Sequence, residues 1–205
     1  MIDLIGDRTA CGDECQAFIG KWAEWWAEKT REHAMALLEV TSLDEYRRFV
    51  GPKSRNMINK ANRLYEYRKI DRNEHLEGIE AVGRSKPIRQ GIPMVGWYTE
   101  PVKPQRPLRL CALHADEWYA GFRRDDGRMV CFANLKVLNE LGILNSIMGD
   151  PSAGAAVNGL MAHLVDVSGV LWINYLYPQA KTQTLADFKR RLGFRPVRVP
   201  ASRPL

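Results

Sequence analysis

The sequence predicts a mixed α/β protein, an α+β arrangement in which one mixed sheet is built from hairpins on one side and helix-linked strands on the other. Three stretches carry that expectation. Residues 170–199, VLWINYLYPQAKTQTLADFKRRLGFRPVRV, read as strand, helix, strand, because Val170 to Leu176 is a short aromatic and β-branched run after a Ser168-Gly169 break. In the helix, Thr184 suits the N-cap and Leu185, Phe188 and Leu192 form the apolar face. Lys189, Arg190 and Arg191 fall on the polar side, and Gly193 stands where a left-handed stop is wanted. Trp118 to Arg123 and Met129 to Asn139 read as a hairpin turned at Arg124-Asp125-Asp126-Gly127, with Cys131, Ala133, Leu135 and Val137 on one buried face. Between these stretches, a helix capped by Asp150 or Ser152 runs to Val167, with Val157, Leu160, Met161, Leu164 and Val165 as its buried stripe.

The remaining elements follow from the same periodicities. Glu14 to Ala34 reads as a helix in which Phe18, Trp22, Trp25 and Trp26 dock on the core or, as the sharper alternative, offer a stacking platform or an oligomer contact. Met35 to Thr41 suits a strand. Ser42-Leu43-Asp44-Glu45 is a capping box that opens a short helix to Val50, and Gly51-Pro52 ends it and starts the next, to Leu64. Met57, Ile58, Ala61 and Leu64 can face inward, while Lys53, Arg55, Lys60 and Arg63 form either a solvated face or a phosphate track. Tyr65 to Ile70 is a strand and Glu74 to Arg84 a helix, capped by Asp71 or Asn73. Ser85 to Tyr98 is a loop broken by Pro87, Gly91, Pro93 and Gly96, and Leu108 to Leu113 and Gly142 to Met148 are further strands.

Composition narrows the class. A chain of 205 residues, 45% of them hydrophobic, supports one compact domain, here a helical extension over residues 1–63 packed on a core over 64–205. A net charge of +6 favours an anionic donor or acceptor, tRNA or DNA among them. The opening is too polar for a secretory signal and no apolar run reaches membrane-spanning length, so a soluble, cytoplasmic protein is expected. The cysteines at 11, 15, 111 and 131 have no zinc-ribbon spacing. The four histidines do not fall in metal-ligand spacing either, so reduced thiols and no metal site are expected.

The segment Phe188-Lys189-Arg190-Arg191-Leu192-Gly193-Phe194 resembles the C-terminal end of the GNAT acyltransferase superfamily, where a helix ends in Leu-Gly-Phe and runs into a last strand. The Phe-Lys pair with Gly four residues after the Lys is similar to the Phe-Lys-x-x-Phe-Gly segment of the FemAB-type branch, which draws an amino acid from charged tRNA. Arg55, Ile58 and Ala61 match the Arg-x-x-Ile-x-x-Ala pattern that precedes the core in that branch. The resemblance implies two central strands that splay apart, here 142–148 and 170–176, around an acyl donor whose carbonyl is held as charge develops.

On that resemblance Lys189, Tyr175 and Asn174 stand at the reacting centre, and Lys189 holds an anionic leaving group or the developing oxyanion. Read from charge alone, Lys189 belongs to an exposed basic face. Ser85, Arg89, Gln90, Trp97 and Tyr98, with Asn145 and Ser146, line the acceptor side, and Ser152 and Gly154 the donor side. No cofactor is certain; acyl-CoA and aminoacyl-tRNA are the candidate donors. Gly149-Asp150-Pro151-Ser152-Ala153-Gly154-Ala155 lacks the Arg or Gln that opens a coenzyme A pyrophosphate loop, Pro151 removes an amide donor, and Asp150 repels phosphate. Three functions follow: transfer of an acyl or aminoacyl group from aminoacyl-tRNA to an amine, acyl-CoA-dependent N-acetyl transfer through a degenerate loop, or a nucleic-acid-binding or nucleobase-modifying protein on the same fold. Lys53, Arg55, Lys60 and Arg63 would serve the last.

Overall fold

The computed structural model describes residues 2–4, 6–7, 9, 11–89, 92–94, 100–176 and 183–199. Its helices are α1 (Asp13–Glu32), α2 (Leu43–Phe49), α3 (Pro52–Leu64), α4 (Leu76–Arg84), α5 (Ala156–Val167) and α6 (Gln183–Arg191). Its strands are β1 (Met35–Glu39), β2 (Tyr65–Ile70), β3 (Ile88–Arg89), β4 (Ile92–Pro93), β5 (His114–Arg123), β6 (Met129–Leu138), β7 (Leu141–Gly149), β8 (Trp172–Asn174) and β9 (Arg195–Val197). Seven form one sheet in the order β2-β5-β6-β7-β8-β1-β9, and β3 and β4 pair apart from it.

All ladders of the large sheet are antiparallel except β7 with β8. A parallel pair needs a crossover, and α5 supplies it, with an almost wholly buried stripe. α5 lies close against β2 and α3: a Cβ built at Gly159 would stand 2.3 Å from Tyr67 Oη and 2.7 Å from Ala61 Cβ. Tyr67 Oη uses that approach to donate to the Ala156 carbonyl at 3.0 Å. One sheet face is filled by α2, α3, α5 and α6 through Tyr46, Ile58, Leu160, Leu164, Leu192 and their neighbours. The other is covered at one end by α1, through Phe18 and Trp26 on Leu37, Leu138 and Ile143, and at the other by α4, through Ile79 and Val82 on Phe132 and Met148.

Several sequence expectations need correction. β1, from the N-terminal 63 residues, lies between β8 and β9, so that segment contributes a strand to the sheet as well as helices on it. Leu108 to Leu113 is irregular rather than a strand, and β5 starts at His114, lengthened because β6 offers ten residues to pair with. Leu64 is 44% exposed, since the helix ends there and the chain turns into β2. Trp26 and Phe18 dock α1 as expected, whereas Trp22 and Trp25 are only partly buried and pack edge-to-face on each other with ring centres 5.8 Å apart. The thiols also depart from the reading made along the chain. Sγ of Cys11, Cys15 and Cys111 and a ring nitrogen of His114 all lie within 4.8 Å of one another, brought together by the fold from two distant segments.

Among the described residues no helix is long and apolar enough to cross a membrane.

Candidate active site

The sheet opens where the parallel pair ends. β7 and β8 are in register only over Leu141↔Trp172, Gly142↔Ile173 and Ile143↔Asn174, yet β7 runs on to Gly149. The cause lies on the β1 side. Tyr175 donates its amide to the Ala36 carbonyl at 2.9 Å and Ala36 returns one to Leu176 at 2.8 Å, so the chain after Asn174 follows β1 and leaves β7. Asn174 fixes this departure. It is fully buried, its Nδ2 donates to Ala36 O at 3.2 Å and Leu176 O at 3.1 Å, and its Oδ1 accepts from Leu176 N at 3.1 Å, where Leu176 takes φ 54°. Asn174 is therefore hydrogen-bonded to the backbone that makes the opening.

Lys189 sits at this opening and not on a solvated face. It is 5% exposed, its Nζ donates to the Tyr175 carbonyl at 2.8 Å and lies 4.5 Å from the centre of the Tyr175 ring. Its neighbours Arg190 and Arg191 are exposed, so the residue that sequence charge places among three equivalent cations is the buried one. Helix geometry explains the difference. Lys189 is four residues after Leu185 and one before a polar position, on the edge of the stripe that carries Phe188 and Leu192 inward. Burial draws its pKa down to about 8, which keeps an ammonium at neutral pH that can give up its proton without a large barrier.

On the β7 side, Asn145 is an inserted residue. Asn134 pairs with Ser146 and Leu135 with Leu144, so Asn145 bulges out, exposed. Its Nδ2 donates to Asn134 Oδ1 at 3.1 Å; Asn134, fully buried, donates to Asp116 Oδ1 at 2.6 Å; and Asp116 Oδ2 takes the Lys136 ammonium at 2.5 Å. This chain of polar groups crosses three strands in the gap between α1 and α4, with Lys136 Nζ 5.7 Å from the Trp22 ring centre. Burial lowers the pKa of Lys136, and the Asp116 carboxylate opposes that shift. Asp116, Asn134 and Lys136 were not found by sequence reasoning, which placed only the Cys131, Ala133, Leu135 and Val137 face of β6. The available signal was Asn134 and Lys136 alternating with Phe132 and Leu138, polar residues in a strand apolar on both faces. Beside the network, Arg72, Trp118, Glu117 and Asp116 line an open cavity of about 340 Å³.

In the turn that precedes α5, Asp150 supplies an anion of its own. Its Oδ1 accepts from the Ser152 amide at 2.8 Å and the Ser152 hydroxyl at 2.7 Å, capping the single turn Pro151–Ala153. Ser152 and Gly154 are exposed but stand around an occupied amide. Elsewhere, Ser85 closes α4 through its hydroxyl on Val82 O at 2.7 Å, and Ser146 is half-buried on β7. Arg89 is in β3; its side chain, with Gln90, Trp97 and Tyr98, lies outside the described residues.

The fold as a whole is similar to that of solved structures. FemX superposes with a TM-score of 0.58 at 10% identity, covering 78% of this chain and 58% of FemX. The fold is GNAT-like. A conserved protein of unknown function from Bacteroides thetaiotaomicron matches with a TM-score of 0.51 at 16% identity, over 80% of this chain and 57% of its own. The C-terminal domain of a putative lysylphosphatidylglycerol synthetase from Agrobacterium fabrum is at 0.49 and 12%, over 82% of this chain and 61% of that one. This chain thus spans about three fifths of the length of each. No family model matches the sequence, and no curated protein matches it either.

Of the basic residues on α3, Lys53, Lys60 and Arg63 are exposed on this GNAT-like fold, and Arg55 is half-buried with one guanidinium nitrogen turned to α2. Its guanidinium donates to Val50 O at 2.8 Å and Arg48 O at 3.3 Å, closing the C-terminus of α2. If α3 follows a nucleic-acid backbone, replacing Lys53, Lys60 and Arg63 by Gln should flatten the log–log salt dependence of tRNA binding by up to about three units. An unchanged slope would assign them to solvent.

Proposed function

We propose that this chain is a GNAT-fold acyltransferase that moves an aminoacyl group, carried as an ester on tRNA, onto an amine. The observation that carries the reading is the buried Lys189 ammonium at the opening between β7 and β8, taken with the Asp150 carboxylate held in the turn that leads into α5. A coenzyme A pyrophosphate approaching that turn would meet Asp150 with like charge. An aminoacyl ester brings no pyrophosphate to that point.

In the proposed reaction the amine nitrogen attacks the ester carbonyl carbon. A C–N bond forms as the C–O bond to the terminal ribose breaks; the amine loses one proton and the departing ribose oxygen gains one. Lys189, with its pKa near 8, stabilises charge on the oxygen of the ester and can give that oxygen its proton. The bulge at Asn145 turns β7 backbone toward the opening, and the Asn145–Asn134–Asp116–Lys136 chain offers both hydrogen-bond donors and a carboxylate on the acceptor side. Trp22 beside Lys136 supplies an aromatic wall to that side.

Coenzyme A and acetyl-CoA are therefore expected to give no thermal shift at millimolar concentration, where a micromolar site would stabilise by about 4 kcal/mol through linkage. Saturable micromolar binding to either would replace this reading with the acyl-CoA one.

A further inference from the structure

We propose that Cys11, Cys15, Cys111 and His114 bind one zinc ion that pins α1 to the start of β5. Cys11 lies just before the helix and Cys15 in its first turn, while Cys111 and His114 flank a turn closed by the His114 amide on Cys111 O at 3.2 Å. The fold thus presents a C-x3-C pair to a C-x2-H pair, from segments 100 residues apart.

The separations from Cys11 match those of a tetrahedral ion, and the Cys111–His114 pair, closer than that, would part by under 1 Å to admit it. Cys11 Sγ is 3.5 Å from Cys111 Sγ and 3.8 Å from His114 Nδ1, and Cys111 Sγ is 2.9 Å from the same nitrogen. A tetrahedron with Zn–S and Zn–N bonds of about 2.3 and 2.1 Å needs ligand atoms roughly 3.5 to 3.8 Å apart. The four cysteine sulfurs are all free thiols, so no disulfide competes for these ligands. Three thiolates and one imidazole favour zinc over harder cations, and four protein ligands leave no open position, which makes the site structural.

Burial supports a ligand role over chance proximity. Cys15 and His114 are 1% and 0% exposed, and His114 turns Nδ1 to the sulfurs while its Nε2 has no hydrogen-bond partner among the described residues. The imidazole is thus held out of water with its Nδ1 committed to the thiol group. A second strap runs beside the cluster: Glu14 accepts from the Arg109 amide at 2.9 Å and pairs with Arg106 at 2.6 Å. The connector and the helix are thus already held at the spacing the ion needs. The ion would close the loop from residue 11 to residue 111, and with it the α1 wall that carries Trp22.

Full-length protein purified without chelator should contain about one zinc per chain by plasma mass spectrometry. Replacing the zinc by cobalt should give thiolate-to-cobalt charge-transfer bands, and a strong chelator should lower Tm by about 10 °C or more. Cys111→Ser should lose the metal, whereas His114→Cys should keep it, because four thiolates also form a closed zinc site. Cys131→Ser, a buried thiol away from the cluster, should leave zinc content unchanged. Reduced protein with less than about a tenth of an equivalent of zinc, or zinc retained at wild-type content in Cys111→Ser, would overturn the proposal. If Cys111→Ser does not fold, the His114→Cys content and the chelator shift decide it.

Discussion

Lys189→Met is expected to lower aminoacyl transfer about a hundredfold while the protein stays folded, as happens when one preorganised charge at a transition state is removed. Met keeps the length of the stem and the helix propensity, so α6 is retained. Arg190→Met on the same helix is the control: Arg190 is exposed and paired with Asp187 at 2.7 Å, and its loss should leave transfer within about twofold. Stability carries a second signature of the same residue. The folded pKa near 8 lies below the ordinary 10.5, so between those values the folded protein binds fewer protons than the unfolded chain and stability rises with pH. From about pH 7 to 9.5 this one group should add about 2 kcal/mol in the wild type, read from urea midpoints, and the gain should be absent in Lys189→Met. Equal pH slopes in the two proteins would mean that the ammonium is solvated.

Asp116→Ala should destabilise the fold by about 2 kcal/mol, because it leaves the Lys136 ammonium without its carboxylate and the buried Asn134 amide with only the Glu117 carbonyl. The side chains of Lys136 and Asp116 are 12% and 21% exposed, so the loss falls below that of a fully dry pair. Adding Lys136→Met should recover at least half of it, since the uncompensated charge is then gone. The cycle is measured by chemical denaturation of the two single variants and the double. A null effect of Asp116→Ala would show water already serving the network, and a double variant as unstable as Asp116→Ala would place the cost elsewhere.

Local signals carried most of the fold. The capping box at Ser42 and Glu45 forms as the pattern requires, Gly193 takes φ 94° at the α6 stop, and Tyr65 to Ile70 is a strand to the residue. What sequence did not reveal depends on distant pairing. That Met35 to Glu39 enters the sheet between β8 and β9 follows from hydrogen bonds to residues about 140 positions away, which no local pattern encodes. The burial of Lys189 has the same origin, since it packs on Tyr175 after β8, and so does that of Lys136, which Trp22 of α1 covers. The meeting of Cys11 and Cys15 with Cys111 and His114 needs the fold as well, because each pair alone is an unremarkable spacing.

The donor is the point on which the account turns. The most direct measurement offers the protein unfractionated tRNA charged with labelled amino acids, an equal concentration of acetyl-CoA, and a pool of small amines and peptides. Label is expected to leave the ester for alkali-stable amide with the wild type and at a hundredth of that rate with Lys189→Met, undiminished by the acetyl-CoA present. Acetylated amine with the label still on tRNA, or loss of label only at the spontaneous rate of ester hydrolysis, would contradict it.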